Sequence, residues 1–372
     1  MTQHAPDKRF KVCLVSISLA RGGAERSCAL LSQMLSNEGH DVHIALLNDE
    51  IDFPYSGTIF NLGLLKDKKD TALRRFLRIK KLRRYLRLHQ FDLIIDHRGK
   101  NEYRRELFYA KYIYKGIKRM YVVHSANSAL YFTQFPKKMA KIYRQNTRTI
   151  CVSKFIKNNV EVRLGINNCT TVYNAYDPNW GKNEEKVPET LINKDYILSY
   201  GRLDDSVKDF SFLLHSFSVS KVWEQGIYLV ILGDGPHKEA LIKLSTQLAG
   251  ADHILFLPFT NAPFSIIANA RFVTLTSYFE GFPMVLVESL SLGTPVVSLD
   301  IESGPSEVIV HQKNGLLIPK RSIPLFAEAI STMSFDEVLY KKCKHNAKAS
   351  VGDFSTVIIS QQWNQLLHDA LS

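Results

Sequence analysis

Short runs of valine, isoleucine and leucine, each followed by a turn and a helical pattern, recur along the chain. In the first half the runs are KVCLVSI, DVHIALL, FDLIID, RMYVVHS and RTICVS. In the second half they are YILSYGRL, YLVILGDGP, HILFLPF, ARFVTLTS and TPVVSLD. Strands that are apolar throughout are typical of parallel sheets covered by helices on both faces. The repetition therefore predicts an α/β fold of two doubly wound Rossmann-like domains facing a central cleft.

A polar segment rich in turn-forming residues, YDPNWGKNEEKVPET, separates the two sets of strands. Such a composition is typical of a linker between domains. The chain of 372 residues is long enough for two domains of about 100–200 residues each. We therefore expect an N-terminal domain over residues 1–178 and a C-terminal domain over residues 179–355. The closing stretch STVIISQQWNQLLHDALS predicts an amphipathic helix.

The positive net charge of the chain, +12, is concentrated in its first half. Residues 1–178 contain 32 Lys and Arg against 15 Asp and Glu, whereas residues 179–372 contain 16 against 21. This imbalance indicates an anionic partner for the first half, such as a membrane surface, a phosphorylated lipid, an acidic glycan or a nucleic acid. Charge alone does not distinguish these four partners.

The most basic segment is residues 71–91, which carry eight Lys and Arg and no acidic residue. At the helical spacing, Leu73, Phe76 and Leu77 share one face, while Leu82 and Leu86 lie nearly opposite. One interpretation is a helix that lies on anionic lipid; the alternative is a solvated helix that uses both faces. Nucleic acid is not expected as a partner, because no zinc-finger, helix-turn-helix or base-stacking signature accompanies the charge.

The sequence shows neither a signal peptide nor an apolar stretch of about 18 residues that could cross a bilayer. The cysteines form no Cys-x-x-Cys pair, which favours reduced thiols over a disulfide framework or a zinc site. We therefore expect a cytoplasmic protein, held peripherally at the inner face of the membrane. The five cysteines are Cys13, Cys28, Cys151, Cys169 and Cys343.

Three glycine-containing turns follow predicted strands, at places where the start of a helix can bind an anion. They are ARGGAERS with Gly22 and Gly23, GDGPHKEAL, and EGFPMV. In the third turn Pro283 suits the first helical position, and we expect Met284 and Val285 to offer free N–H groups. None of the turns matches the dinucleotide fingerprint or the P-loop, which disfavours a nicotinamide dehydrogenase or a P-loop nucleotidase.

Two cations lie just after the first predicted strand of the second half. Arg202, in YGRLDD, directly follows this strand, and Lys208 follows six residues later. A guanidinium and an ammonium group together are well suited to binding a diphosphate. The alternative is that Arg202 forms a surface ion pair with Asp204 or Asp205.

Taken together, these motifs resemble those of the retaining glycosyltransferases of family four. The second half resembles them through GRLDDSVKDFSFLLHSF, YLVILGDGP, ILFLPF, FEGFPMVLVESLSLGTPVVSLD, GPSEVI and NGLLIP, in family order over residues 196–318. The first half resembles them more loosely, through SISLARGGAERSCALLSQMLSNEGHDVHI, VVHSANS, CVSKFIK and VYNAYDP. The nearest likeness is to bacterial enzymes of lipid-linked oligosaccharide or cell-surface glycan synthesis. The resemblance implies the GT-B fold, with residues 356–372 returning to complete the N-terminal domain.

The resemblance also implies roles for the charged residues. Arg202 and Lys208 would hold the diphosphate of a nucleotide-sugar donor. Glu280 would act at the catalytic centre by binding hydroxyls of the transferred sugar, and Glu288 would bind the ribose. The two glutamates could instead be the carboxylate pair of a glycosidase, but their spacing suits the two ends of a nucleotide sugar better. For Glu288 a solvated helix acid is the plain alternative.

The turn between the two glutamates would supply backbone contacts. By resemblance, the transferred sugar would be bound by Gly281, Phe282 and Pro283, and the phosphates by Met284 and Val285.

Other sites implied by the resemblance lie elsewhere in the chain. His124 would be the second catalytic residue, touching the donor sugar and the leaving phosphate, although it could be an ordinary strand-end histidine. Gly22 and Gly23 would approach the diphosphate, and the nucleobase would rest near Phe259 and Thr260. The chain departs from the family at residue 209, where Asp follows Lys208 in place of Asn or Gly. Residues 51–150 match almost nothing specifically in the family, so the acceptor site is not implied by the resemblance.

The implied reaction moves a hexose or N-acetylhexosamine from a UDP-sugar to a polyprenyl-diphosphate-linked or cell-surface glycan, retaining the anomeric configuration. The departing phosphate oxygen would take the acceptor proton, so no separate base is needed. No Asp-x-Asp motif is present, and we expect neither a metal nor a cofactor. The alternative is a non-catalytic protein that binds nucleotide sugars or glycans within an assembly complex.

Overall fold

A computed structural model of the protein describes residues 8–66, 70–182 and 186–371. The chain divides into two compact units, one running to Ala175 and completed by the segment from Thr356, the other Tyr176–Ser355. The expected boundary was after residue 178. The observed division comes earlier because Tyr176 belongs to the second unit, where its amide donates to the carbonyl of Phe354 over 2.9 Å.

The first unit contains a sheet of seven parallel strands among its described residues, in the order β3-β2-β1-β4-β5-β6-β7. The strands are β1 (Lys11–Ser16), β2 (Asp41–Leu46), β3 (Thr58–Asn61), β4 (Leu93–Asp96), β5 (Lys118–Val123), β6 (Arg148–Cys151) and β7 (Cys169–Thr171). The centre of β1 is fully buried, as expected for a strand covered on both faces.

Helices connect these strands and cover the sheet. They are α1 (Gly23–Asn37), α2 (Ala72–His89), α3 (Tyr103–Phe108), α4 (Ala129–Phe132), α5 (Pro136–Tyr143) and α6 (Lys154–Leu164). A π-helical segment, Tyr109–Ile113, continues α3. The predicted basic helix is α2, which begins after Thr71 and ends at Gln90 in a left-handed conformation.

In its described part, the second unit contains a sheet of six parallel strands, in the order β10-β9-β8-β11-β12-β13. The strands are β8 (Tyr196–Tyr200), β9 (Tyr228–Leu232), β10 (Ile254–Leu257), β11 (Phe272–Leu275), β12 (Val296–Leu299) and β13 (Gly315–Ile318). The helices are α7 (Asp205–Lys208), α8 (Phe210–Ser220), α9 (Lys238–Ser245), α10 (Phe264–Asn269), α11 (Met284–Ser291), α12 (Pro305–Val308), α13 (Ile323–Phe335) and α14 (Glu337–Ser350).

The closing helix, α15 (Thr356–Leu371), belongs to the first unit and packs against α1. Its Ser360 hydroxyl donates to Oε1 of Glu38 over 2.8 Å, and Asn364 lies 3.1 Å from the ring of His40. The end of the chain therefore returns to the N-terminal unit, as the resemblance implied.

Short 3₁₀ turns complete the described secondary structure: Gly63–Leu65, Glu189–Leu191, Val222–Gln225, Ala251–His253 and Gly352–Phe354. None of the helices in the described ranges has the length and apolar character needed to cross a bilayer. All five cysteines lie in these ranges as buried free thiols.

Each sheet has a point where the strand order reverses direction. In the first sheet it lies between β1 and β4, and in the second between β8 and β11. At such a point the loops after two adjacent strands diverge to opposite faces and leave a crevice at the carboxyl ends. The crevice of the second sheet is therefore bordered by the segments that follow Tyr200 and Leu275.

Candidate active site

Lys208 and Glu280 meet at the carboxyl ends of β8 and β11. Nζ of Lys208 lies 2.7 Å from Oε1 of Glu280, and both side chains are mostly buried. The Ser277 hydroxyl donates to the same oxygen over 2.6 Å. Because strand order brings β8 beside β11, two residues from separate predicted motifs form one ion pair.

The turn after Glu280 is held by a neighbouring loop. The Ser303 hydroxyl donates to the main-chain carbonyl of Glu280. Gly304 has a φ of +97°, and a Cβ at that position would lie only 2.4 Å from Cδ of Pro283. The loop therefore packs directly on the turn, and a side chain at residue 304 would displace it.

Helix α11 starts immediately after this turn. The amide of Met284 donates to the carbonyl of Phe282 over 2.9 Å, so the expectation of a free N–H at Met284 is wrong. The local turn over residues 282–284 uses this donor before the helix begins. The amide of Val285 has no protein acceptor among the described residues. Of the two amides expected to be free, Met284 and Val285, only that of Val285 is therefore available to a ligand.

Glu288 lies one helical turn further along α11 and is only 2% exposed. Its Oε2 lies 3.0 Å from the hydroxyl of Tyr200, which is also 3.1 Å from the carbonyl oxygen of Val285. A solvated helix acid is therefore the wrong interpretation of Glu288. Tyr200 was not predicted from the sequence as a site residue. Its position at the end of β8 is the one sequence feature that could have indicated it.

Arg202 is exposed, and the expected alternative of a surface ion pair is wrong for this residue. Within the described part of the chain it forms no salt bridge, while Asp205 accepts hydrogen bonds from Ser211. A Cβ placed on Gly201 would lie 3.8 Å from Cε of Lys208, so the lysine side chain passes beside the residue that precedes Arg202. Two cations thus lie near the end of β8.

The predicted base-binding segment follows β10. Phe259 is exposed, and its amide donates to Oδ2 of Asp234 over 2.9 Å. The hydroxyl of Thr260 accepts from the amide of Ala262. Lys238 and the Phe259 amide together hold the pKa of Asp234 below its usual value. The segment is therefore tied to the loop after β9, and the Phe259 ring remains exposed.

The first unit carries the other predicted residues. Helix α1 begins at Gly23, with Gly22 as its N-terminal cap. A Cβ on Gly22 would lie 2.0 Å from Oε2 of Glu25, whereas a Cβ on Gly23 would contact nothing within 4 Å. A side chain at position 22 would need only the flexible end of Glu25 to move, and one at position 23 would meet no protein atom.

His124, directly after β5, pairs with a second histidine that the sequence did not reveal. Nδ1 of His97 lies 3.0 Å from Nε2 of His124, and the two rings are stacked. Burial lowers the pKa of both imidazoles, to about 3 for His97, so both are neutral near pH 7. The remaining nitrogens, Nε2 of His97 and Nδ1 of His124, are buried and have no hydrogen-bond partner among the described residues.

Known proteins match almost the whole chain. The family model of glycosyltransferase family 4 matches residues 21–180, and that of glycosyl transferases group 1 matches residues 182–350. The chain is a GT-B glycosyltransferase of the family-four type. Its two parallel sheets, with α15 returning to the first, confirm the predicted fold.

Two curated relatives match this glycosyltransferase over nearly their full length. One is the N-acetylgalactosamine-N,N'-diacetylbacillosaminyl-diphospho-undecaprenol 4-alpha-N-acetylgalactosaminyltransferase of Campylobacter jejuni. It is 28% identical, over 94% of this chain and 97% of the relative. The other is the amylovoran biosynthesis glycosyltransferase AmsD of Erwinia amylovora. It is 22% identical, over 93% of this chain and 96% of the relative.

Solved structures share the fold at low sequence identity. Anabaena HepE, in complex with UDP and glucose, superposes with a TM-score of 0.78 at 20% identity, over 97% of this chain and all of that one. The pneumococcal O-GlcNAc transferase GtfA, in complex with UDP and GlcNAc, superposes with a TM-score of 0.78 at 11% identity. The match covers 98% of this chain and 99% of that one.

Proposed function

We propose that this glycosyltransferase moves a hexose or N-acetylhexosamine from a UDP-sugar to a lipid-linked or cell-surface glycan, with retention of configuration. The observation that carries the proposal is the Lys208–Glu280 pair at the carboxyl ends of β8 and β11. Two similar proteins support the proposed classes of acceptor and donor. The Campylobacter relative acts on a diphospho-undecaprenol-linked sugar, and the structure of HepE was solved with UDP-glucose.

In the proposed reaction the C1–phosphate bond of the donor breaks and a bond from C1 to the acceptor oxygen forms. The departing phosphate oxygen takes the acceptor proton on the same face of the sugar, and UDP is released. Negative charge grows on the diphosphate, so Lys208, the exposed Arg202 and the amide of Val285 stabilise the transition state. These groups replace the charge that a metal would supply, and no cofactor takes part.

Glu280 binds hydroxyls of the transferred sugar in this proposal. In its contact with Lys208 the carboxylate is a hydrogen-bond acceptor, which is the role that binding sugar hydroxyls requires. Glu288, fixed by Tyr200, accepts from the ribose hydroxyls. A glycosidase acid and nucleophile pair is disfavoured, because Glu280 lies against the ammonium group of Lys208, a setting that does not suit a general acid.

His124 supplies a neutral polar contact to the sugar and the leaving phosphate. Its buried Nδ1 has no partner among the described residues, and a buried nitrogen without one is costly unless a ligand satisfies it. Gly22 and Gly23 bring the start of α1 to the diphosphate, and Phe259 and Thr260 lie against the base.

The acceptor is proposed to be reached at an anionic membrane surface through α2. Leu82 and Leu86 are buried against the unit, whereas Leu73, Phe76 and Leu77 are exposed among the basic residues. A cationic cavity of about 410 Å³ also lies along this helix. It is lined by Lys80, Arg83, Arg84, Arg87, Leu88 and Tyr112. Exposed apolar side chains within a basic face are typical of helices that lie on anionic lipid, which supports a peripheral position at the inner face of the membrane. No nucleic acid is involved.

The direct test of the reaction is proton NMR of the first product formed from a UDP-α-sugar. The proposal predicts an α-linked product whose formation continues in excess EDTA. A β-linked first product would contradict retention, and loss of turnover in EDTA that is restored by a divalent cation would contradict a metal-independent reaction.

A further inference from the structure

Asp209 places a negative charge next to Lys208, the lysine proposed to bind the donor diphosphate. The residue is 6% exposed and has a φ of 52° and a ψ of 51°. This left-handed conformation favours Gly and Asn and also accepts Asp. Its Oδ1 accepts from the amide of Phe212 over 3.3 Å and caps α8. A carboxylate this buried needs a positive partner.

The partner is Arg321, which follows β13. Its guanidinium donates to Oδ2 of Asp209. It also donates from Nη1 to the carbonyl of Thr276 over 2.9 Å and from Nη2 to the carbonyl of Ser277 over 2.6 Å. The group lies over the ring of Tyr278, 4.1 Å from its centre. One arginine thus contacts three consecutive residues of the loop that leads to Glu280.

The same loop is joined to the segment that carries Lys208. The hydroxyl of Thr276 lies 3.0 Å from the carbonyl oxygen of Lys208, and the amide of Tyr278 donates to the carbonyl of Val207 over 2.9 Å. Ser277 in turn donates to Glu280. Arg321 therefore contacts both parts of the site whose meeting produces the ion pair of Lys208 and Glu280.

We propose that Arg321 is a positioning residue for the donor site, which neutralises Asp209 beside Lys208 and fixes the loop that presents Glu280. This inference rests on the proposed function, because it assumes that Lys208 faces the donor diphosphate. Without Arg321, the carboxylate of Asp209 would be left unpaired. It would compete for Lys208 and repel the diphosphate.

If Arg321 acts by neutralising Asp209, the variants Arg321→Met and Asp209→Asn should have different effects on the KM for the donor. Arg321→Met keeps the apolar stem but leaves Asp209 unpaired, so we expect the KM for the UDP-sugar donor to rise about tenfold or more. Asp209→Asn preserves the left-handed turn and the cap of α8, and it leaves a positive charge that does not oppose the diphosphate. Its donor KM is expected not to rise. The double variant is expected to recover most of the loss caused by Arg321→Met.

The test measures donor KM, kcat and UDP affinity by calorimetry for the wild type, both single variants and the double variant, with the thermal unfolding midpoint of each. Equal effects of the two single variants, or no recovery in the double variant, would show an ion pair that serves stability alone and would overturn the proposal. If Arg321→Met does not fold, Arg321→Lys replaces it. That variant keeps the charge but loses the forked contact to both carbonyls, so we expect a lower kcat with a smaller change in donor KM, and unaltered kinetics would equally overturn the proposal.

Lys208→Met separates this inference from the proposed function. If that variant binds UDP as tightly as the wild type, the proposed donor site itself is wrong. If it binds UDP more weakly while the double variant of Asp209 and Arg321 shows no recovery, only the role of Arg321 is wrong.

Discussion

At the scale of single residues, the central feature is a contact between two side chains 72 positions apart, Lys208 and Glu280. Neither residue is fixed by its own segment alone. Lys208 ends the short helix α7, and Glu280 lies in a loop held by Ser303 and Arg321. The charge of each residue lowers the cost of burying the other, so the pair can be mostly shielded from water before any ligand arrives.

Removing the lysine charge tests its assigned role. Lys208→Met should lower kcat/KM for the UDP-sugar about 100-fold, because a cation that stabilises the leaving diphosphate is lost. Steady-state kinetics measure the effect. The matched control is Lys341→Met, an exposed lysine that pairs with Glu337 on α14. Equal kcat/KM values for the two variants would contradict the assignment.

Tyr200 offers a milder test at the other end of the donor. Tyr200→Phe removes only the hydroxyl that lies 3.0 Å from Glu288. A hydrogen bond to a charged group contributes about 1.5–3 kcal/mol, so we expect the dissociation constant of UDP to rise by about tenfold or more. Calorimetry measures it, with Tyr340→Phe on α14 as the control. If Tyr200→Phe leaves the UDP affinity unchanged, the proposal that Glu288, fixed by Tyr200, binds the ribose is contradicted.

The buried histidine pair makes stability depend on pH. The pKa of His97 is lowered to about 3 by burial, whereas an unfolded histidine titrates near pH 6.5. Between these values the unfolded chain binds a proton that the folded chain does not, so the free energy of unfolding should fall as the pH falls, by up to about 1.4 kcal/mol per pH unit for one group. Urea unfolding of the wild type and of His97→Gln between about pH 7 and pH 4 measures this. The variant should show a shallower loss, and parallel curves would contradict the assignment.

The residues that sequence reasoning found and those that it missed differ in kind. Glu280, Glu288 and Lys208 lie in motifs with a recognisable order, so their proximity could be predicted. Tyr200 and Arg321 contact residues that are distant in the sequence, and nothing in their local sequence marks those partners. The bond from Met284 to Phe282 was missed for the opposite reason: it is a turn too local for the helical pattern to reveal.

At the scale of elements, the strands that the sequence pattern did not reveal are β3, β7 and β13, and each lies at an edge of its sheet. Each has only three or four residues, and β3 is not fully buried at any position. An edge strand pairs on one side only and needs less apolar surface, so its sequence carries a weaker signal. The central strands were predicted because burial on both faces requires continuous apolar runs.

Helix α2 carries the membrane proposal, and its exposed apolar residues provide the test. Changing Leu73 and Phe76 to serine should weaken binding to vesicles rich in phosphatidylglycerol more than tenfold, since each buried side chain of this size contributes about 1.5–3 kcal/mol. Cosedimentation measures the binding. The control changes Val162 and Val338, which are exposed on α6 and α14. Equal binding of wild-type protein to neutral and anionic vesicles would contradict the proposal.

At the scale of the whole molecule, charge and site chemistry are divided along the chain. The basic excess lies in residues 1–178, which include α2, while the second unit carries the Lys208–Glu280 pair and the Glu288–Tyr200 contact. Family models match both parts, so the order of the units along the chain could be predicted. The acceptor could not be, since residues 51–150 carry no motif that names it.

The most direct test of the account is UDP release by the purified glycosyltransferase and by its Glu280→Gln variant. A screen of UDP-sugars by thermal shift first selects the donor, since a ligand that binds only the folded protein raises its unfolding temperature. With that donor the wild type should release UDP, and Glu280→Gln should be slower by about 100-fold with an unchanged unfolding temperature. The absence of any donor that is bound or turned over, or equal turnover by the variant, would contradict the central claim.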